Sequence, residues 1–169
     1  WFGLDGWECE RLSDTADLVV LLNERLIVSY TGIPHSSAVT NWAMLKGYIE
    51  KQGSTVERIH EIKAIAQAMR TALQQADLEA FYRLLDNEWQ LRRGLAKGVS
   101  TPAIDAIVAA GQRAGAAASK ICGAGGGGCM ITLAEPHLVP GVRAALAGAG
   151  ATILPASLVS QGLKLTVRD

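Results

Sequence analysis

A run of glycines in the C-terminal third of the chain is the feature of this sequence that most clearly indicates a chemical role. Residues 119–136 read SKICGAGGGGCMITLAEP, and all positions from Gly123 to Gly128 except Ala124 are glycine. Glycine adopts backbone conformations closed to other residues, at a cost in conformational entropy on folding. Consecutive backbone N–H groups without bulky side chains can form a concavity that binds anions. The run therefore predicts a loop that another group approaches closely, either a second backbone or a phosphate.

Two nucleotide-binding motifs share letters with this run, and both fail in context. Gly123, Gly125 and Gly128 satisfy the G-x-G-x-x-G spacing, but that motif requires a helix directly after the loop and an acidic residue about 20 positions on. The residues that follow, CMITL, are strand formers, and no such acidic residue is present. A Walker A loop ends in Gly-Lys-Ser/Thr, whereas Gly128 precedes Cys129 and Met130. A plain hairpin needs only one or two glycines, so we interpret the run as a functional loop between two strands rather than a merely flexible turn.

Helices fill the middle of the sequence, and strands flank them. Residues 26–30 and 129–133 read as strands, and SKIC, ATILPASL and GLKLTVRD read as further short strands. Apolar spacing predicts helices over SSAVTNWAMLKGYIEKQG, after Ser54, after Asp77, after Thr101-Pro102 and over HLVPGVRAALAGAG. This order predicts an α+β fold, a small and mostly antiparallel sheet with several helices packed on one face.

Spacing within the helices also assigns individual side chains. The first predicted helix has an apolar stripe formed by Val39, Trp42, Leu45 and Ile49. In the helix after Asp77, Glu88 and Arg92 are four residues apart, which predicts an ion pair on its surface. The basic residues Arg92, Arg93 and Lys97 are interpreted as a solvated helix face.

Composition argues against several classes of function. The 169 residues carry 16 basic and 16 acidic side chains without a basic cluster, so we expect no nucleic-acid partner. No apolar run reaches the roughly 18 residues of a membrane-spanning helix, and the start lacks the pattern of a signal peptide, so we expect no membrane partner. Cys9, Cys122 and Cys129 are too widely spaced for a zinc site or a disulfide framework. These features predict a cytoplasmic protein without a metal site, in which the two cysteines beside the glycines are packed and inert.

One long segment carries a resemblance to a known family. LAKGVSTPAIDAIVAAGQRAGAAASKICGAGGGGC, residues 95–129, resembles the C-terminal glycine motif of the GHMP kinases, the family of galactokinase, homoserine kinase, mevalonate kinase and phosphomevalonate kinase. It contains a GVS element, an alanine-rich helix and a G-A-x-x-x-K lead-in. DNEWQLRRGLAKGVS and YTGIPHSSAVTNW are more similar to the sugar-kinase branch, which includes heptose-phosphate kinases. The resemblance extends from about Trp7 onward.

The resemblance implies a fold and a set of binding residues. The fold would be a ferredoxin-like antiparallel sheet with added helices, and the glycine loop would face the phosphates of ATP, with Mg²⁺ in the complete enzyme. The implied nucleotide-binding residues are Gly123, Ala124, Gly125, Gly126, Gly127, Gly128 and the lead-in Lys120. The loop TGIPHSS would point to the substrate, and its candidate residues are Thr31, His35, Ser36 and Ser37.

The resemblance also implies a missing half. The family's main ATP loop, which contains Gly-Leu-Gly-Ser-Ser-Ala, and its catalytic aspartate belong to an N-terminal domain, and nothing like that loop occurs here, so no catalytic residue is assigned. We expect residues 1–169 to be a single domain, the C-terminal half of a two-domain kinase, with residues 1–12 the end of the N-terminal domain. Apolar surface, including Trp1 and Phe2, should then be exposed where the N-terminal domain packs.

The expected function is that of a small-molecule kinase. The complete enzyme would transfer a phosphoryl group from ATP to a hydroxyl of a sugar or sugar phosphate, and this chain alone would be inactive. The alternative is a non-enzymatic ferredoxin-like module that binds a ligand or dimerises, since a fold by itself does not define a function. A homodimer is compatible with both.

Overall fold

The computed structural model describes residues 2–3, 6–7, 9–10, 16–34, 37–159, 162 and 166. In this part of the chain the elements are β1 Phe2–Gly3, β2 Gly6–Trp7, α1 Ala16–Asn23, β3 Leu26–Tyr30, α2 Ser37–Ile49, α3 Thr55–Gln74, α4 Leu78–Arg92, α5 Pro102–Arg113, β4 Ala118–Ile121, β5 Cys129–Leu133, α6 Val139–Gly148 and β6 Thr152–Leu154. The strands predicted at 26–30 and 129–133 are confirmed. The predicted strand GLKLTVRD falls almost wholly outside the described residues, as do Trp1 and the side chain of Phe2.

Four of the strands form one antiparallel sheet in the order β4-β5-β3-β6. The central pair is β3 and β5, with Ile27 opposite Thr132 and Ser29 opposite Met130. Helices α2 to α5 connect β3 to the edge strand β4, and α6 connects β5 to the other edge strand, β6. Two such strand-helix-strand units, interleaved in one sheet, give a ferredoxin-like arrangement with added helices. The predicted α+β fold class is therefore confirmed.

The main core lies between one face of this sheet and helices α5 and α6. Ile27, Ile121 and Met130 of the sheet are fully buried there, against a helical set that comprises Ile104, Ile107, Val108, Val142 and Leu146. A second, smaller cluster lies on the opposite face, where Tyr82 and Leu85 of α4 contact Ala118 and Leu133. Helices α5 and α6 thus share one face of the sheet as predicted, whereas α4 packs on the opposite face, so the expectation that the helices lie on one face does not hold for α4.

Helix α2 packs with the side opposite to its apolar stripe. Val39, Trp42, Leu45 and Ile49 are 70%, 63%, 51% and 65% exposed. The buried side contains small residues, since Thr40 and Gly47 are buried and a Cβ on Gly47 would lie 3.4 Å from the Thr55 side chain at the start of α3. The spacing predicted the helix correctly. Small residues allow the close helix contact, and the stripe stays on the surface of this chain.

Candidate functional site

The glycine loop, Gly123–Gly128, connects β4 to β5 and lies between two other loops. On one side, the Gly126 N–H donates to the carbonyl of Val99 (2.8 Å), in the segment between α4 and α5. On the other side, the Gly128 N–H donates to the carbonyl of Ile33 (3.1 Å), in the segment after β3. The fold therefore brings together the GVS, TGI and glycine segments, which are far apart in the sequence.

Glycine is required in this loop because of close backbone approach. Gly125 and Gly127 have φ values of 82° and 153° and are buried. A Cβ on Gly125 would lie 2.6 Å from Val99 Cγ1 and 2.7 Å from the Val99 carbonyl oxygen, and a Cβ on Gly127 would overlap the carbonyl of Ile33. The glycines therefore allow two other segments to touch the loop backbone directly.

Several N–H groups of the loop remain available for a ligand. In the part of the chain that the structure describes, the backbone N–H groups of Gly123, Ala124, Gly125 and Gly127 donate no hydrogen bond. Ala124, Gly125 and Gly127 are buried, whereas Gly123 is exposed. Because buried backbone N–H groups are almost always paired, the three buried groups indicate a site for an acceptor that binds from outside. Helix α5 begins three residues after Val99, so its positive N-terminal end adds to the attraction for an anion.

Thr31 holds the glycine loop in place from the β3 side. It is 4% exposed, and both its N–H (2.9 Å) and its hydroxyl (3.0 Å) donate to the carbonyl of Gly128. The predicted role of Thr31 toward a substrate is untested, and the hydroxyl is engaged by the loop. Of the other predicted substrate residues, His35 and Ser36 lie outside the described residues. Ser37 begins α2, and its side chain is likewise outside them.

Removing this hydroxyl is expected to loosen the loop. We predict that Thr31→Val, which keeps the shape of the side chain, lowers the free energy of unfolding by about 1–2 kcal/mol, because the half-buried Gly128 carbonyl loses one of its two donors and the Ile33 N–H loses its acceptor. Urea denaturation measures the loss. Thr152→Val is the matched control, since Thr152 is exposed on β6 and should change stability by less than about 0.5 kcal/mol. Equal losses in the two variants would contradict the role given to the hydroxyl.

Lys120 lies in β4 at the approach to the glycine loop, and its ammonium group binds a buried carboxylate. Lys120 Nζ and Arg92 Nε each lie 2.5 Å from an oxygen of Glu88, which is 2% exposed. The predicted surface location of the Glu88–Arg92 pair is therefore wrong, because this side of α4 packs against β4. The nucleotide-binding role of Lys120 stays a prediction.

Asp105 fixes the position of the segment between α4 and α5, and the sequence reasoning missed it. Its carboxylate accepts hydrogen bonds from the Ser100 hydroxyl (2.7 Å) and from Arg93 Nη2 (2.6 Å). Both donors belong to the segment that contains Val99, the acceptor for Gly126. Arg93 is therefore paired rather than part of a purely solvated face. A signal was present, since an acid in the first helical turn after Ser-Thr-Pro is placed to bind the loop before it.

Three further observations on the described residues concern metals, membranes and cysteines. They contain no group of three or more His, Cys, Asp or Glu side chains that could hold a metal ion. No helix among them is long and apolar enough to cross a bilayer. Cys9 and Cys129 are exposed and Cys122 is half-buried, so the expectation that both cysteines beside the glycines are packed is wrong for Cys129.

Comparison with known proteins identifies the family to which this ferredoxin-like domain and its glycine loop belong. Residues 69–152, which run from α3 to the start of β6, match the family model described as GHMP kinases C terminal, and the chain belongs to that family. Among the curated proteins, it is similar to the mevalonate kinase of Pyrococcus furiosus, with 35% identity over 146 residues that cover 83% of this chain and 42% of that protein. The chain thus spans less than half the length of the curated relatives it matches.

Solved structures agree with this assignment. The structure of L. major mevalonate kinase in complex with R-mevalonate superimposes with a TM-score of 0.66 at 26% identity, covering 79% of this chain and 43% of that chain. Streptococcus pneumoniae phosphomevalonate kinase in complex with phosphomevalonate and AMPPNP has a TM-score of 0.63 at 21% identity, covering 77% of this chain and 38% of that chain. The second likeness shows the fold alone.

Proposed function

We propose that this chain is the C-terminal domain of an ATP-dependent kinase that phosphorylates a hydroxyl of a small acid of the mevalonate type. The observation that carries the proposal is the set of undonated N–H groups in the glycine loop beside the start of α5. The curated relatives are mevalonate kinases, and one similar structure holds R-mevalonate. The sequence motifs favoured a sugar or sugar phosphate as the acceptor. In its place we propose an acid of the mevalonate type.

Phosphoryl transfer depends on positioning and charge stabilisation more than on covalent chemistry by the protein. In this proposal the N–H groups of Gly123, Ala124, Gly125 and Gly127 bind phosphate oxygens of ATP, while the Gly126 and Gly128 N–H groups hold the loop against Val99 and Ile33. One similar structure contains AMPPNP, which supports ATP as the donor. Mg²⁺ would neutralise phosphate charge when bound, and the described residues contain no group of three or more His, Cys, Asp or Glu side chains that could hold it without the nucleotide.

A second domain is needed to complete such a site, and α2 supports its presence. The exposed apolar stripe of Val39, Trp42, Leu45 and Ile49 lies on the helix that follows the predicted substrate loop. Large exposed apolar patches mark interaction surfaces. We propose that an N-terminal kinase domain, corresponding to the part of the relatives that this chain does not cover, completes the site.

The exposed stripe should make the isolated chain self-associate. We predict concentration-dependent association of the 169-residue chain in sedimentation experiments, because apolar patches are buried by contact between copies when no other partner is present. The double variant Trp42→Ser with Leu45→Ser should sediment as a monomer at every concentration. Its melting temperature should match that of the original chain, since neither side chain is buried. Association that is unchanged in the double variant would argue against the stripe.

Nucleotide binding can be tested residue by residue. We predict that AMPPNP added to the ¹⁵N-labelled chain shifts the amide resonances of Gly123, Ala124, Gly125 and Gly127 more than those of Gly126 and Gly128, whose N–H groups are already bonded. Shifts confined to other parts of the chain would contradict the proposed binding of phosphate oxygens by these four N–H groups.

The acceptor is tested on a longer protein that includes the region upstream of Trp1. We expect turnover with R-mevalonate and none with the 169-residue chain alone. The alternative, a ligand-binding or dimerisation module without enzymatic activity, predicts that the longer protein turns over no acceptor, mevalonate or sugar.

A further inference from the structure

The two cysteines that flank the glycine loop lie directly opposite each other. The register of β4 and β5 pairs Ile121 with Met130, and the Cys122 N–H donates to the Cys129 carbonyl (2.8 Å), so the pairing continues by one residue. Opposed residues of antiparallel strands that are joined by such a hydrogen bond have Cα atoms about 5.5 Å apart, within the roughly 4.4–6.8 Å range of disulfides. Strand alternation places both cysteines on the face opposite to buried Ile121 and Met130.

The pair is accessible from solvent. Cys129 is exposed and Cys122 is half-buried, and both thiols are free. Burial raises the pKa of the Cys122 thiol, the neighbouring Cys129 raises it further, and the nearby Lys120 ammonium acts in the opposite direction. Cys129 is therefore the thiol that a reagent reaches first, and Cys122 lies behind it.

We propose that Cys122 and Cys129 form a redox-active dithiol that closes to a disulfide at the base of the glycine loop. The oxidant would be a small disulfide such as oxidised glutathione. The Cys129 thiolate attacks one sulfur of that disulfide and releases one thiol. The Cys122 thiolate then attacks the Cys129 sulfur of the mixed disulfide and releases the second thiol. The two cysteines lose two protons and two electrons, which reduce one disulfide to two thiols.

Closure would change the loop asymmetrically. The Cβ atoms of a hydrogen-bonded pair, about 5.5 Å apart, must approach to about 3.8 Å in a disulfide. The Gly128 end is held by Thr31 and Ile33, whereas a Cβ at Gly123 would meet nothing within 4 Å. The movement therefore falls on the Gly123 end, where the undonated N–H groups begin. We expect at least a threefold loss of AMPPNP affinity on oxidation, a consequence that rests on the proposed function.

The disulfide is tested in a Cys9→Ser variant of the full chain, which removes the third thiol. The reduced protein is incubated with oxidised glutathione, labelled with N-ethylmaleimide and digested with trypsin, which leaves Cys122 and Cys129 on one peptide, residues 121–143. We expect this peptide to carry neither maleimide nor glutathione and to lack two hydrogen atoms. In Cys9→Ser with Cys129→Ser it should carry glutathione or maleimide on Cys122. A Cys9→Ser product with glutathione on Cys129 and maleimide on Cys122 would overturn the proposal.

Measurements of AMPPNP affinity distinguish a failure of this proposal from a failure of the proposed function. AMPPNP affinity should fall on oxidation of Cys9→Ser, return on reduction with dithiothreitol, and stay constant in the variant that also lacks Cys129. A disulfide that forms without any change in measurable affinity would refute the regulatory consequence and leave the dithiol intact. Failure of the reduced chain to bind AMPPNP at all would count against the proposed function, and the peptide result would still decide the dithiol.

Discussion

Replacing Gly125 by alanine is expected to destabilise the chain by about 2–5 kcal/mol and to abolish nucleotide binding. One cost is the left-handed backbone, with φ at 82°, which costs about 1–2 kcal/mol for a residue with a Cβ. The other is steric, because the new Cβ would lie 2.6 Å from Val99 Cγ1 and 2.7 Å from the Val99 carbonyl oxygen. Overpacking of this kind costs about 1–3 kcal/mol. Neither contact can be relieved without moving the segment that fixes Gly126.

Gly123→Ala is the matched control for this prediction. Gly123 has a similar φ of 68°, but a Cβ there would meet nothing within 4 Å. The free energy of unfolding of the control should therefore fall only by the backbone contribution of about 1–2 kcal/mol. Urea denaturation of both variants and AMPPNP titration provide the two readouts. If Gly125→Ala and Gly123→Ala are equally stable, the close approach of Val99 is not what requires glycine at position 125.

The sequence predicts the glycine loop well because the loop is a local feature. Five glycines between two strand-forming segments exceed what a hairpin needs, and the functional reading follows from that excess. The segments that touch the loop could not be predicted in the same way. Val99 and Ile33 contact the glycine loop through their backbone carbonyls. The types of side chain along the sequence do not indicate which carbonyl accepts a hydrogen bond from which N–H group.

Helix orientation shows the same limit. The stripe of Val39, Trp42, Leu45 and Ile49 predicts α2 correctly, but periodicity alone does not say what covers the stripe. For Glu88, the spacing predicts the partner Arg92 correctly but does not predict that Glu88 is buried. The burial arises because β4, a strand distant in sequence, covers this side of α4. The same strand adds Lys120 as a second partner of Glu88. The spacing of charged residues within one helix predicts which of them form a pair. Whether that pair is buried depends on tertiary packing, which the spacing does not indicate.

Removing the carboxylate of Glu88 is the second change with a large expected effect. We predict that Glu88→Ala lowers the free energy of unfolding by about 3 kcal/mol, because it leaves two cations beside a buried site without their counter-charge. The loss should lie at the low end of the range for broken buried pairs, since the Lys120 and Arg92 side chains are 18% and 24% exposed and are partly solvated. Glu50→Ala breaks a Lys46–Glu50 pair of the same spacing that is about half exposed, and should cost less than about 0.5 kcal/mol.

A double variant distinguishes an unpaired buried charge from a simple loss of packing. Glu88→Leu alone leaves the Lys120 ammonium without its partner, whereas Glu88→Leu with Lys120→Met removes the charges of this pair and keeps the apolar volume. Arg92, whose side chain is 24% exposed, loses Glu88 in both variants, so its contribution cancels in the comparison. A buried ion pair replaced by apolar residues is often no less stable than the original. The double variant should therefore be more stable than Glu88→Leu, although it carries one more substitution. If it is instead less stable, the role of Glu88 is steric, and the charge of Lys120 does not hold β4 against α4.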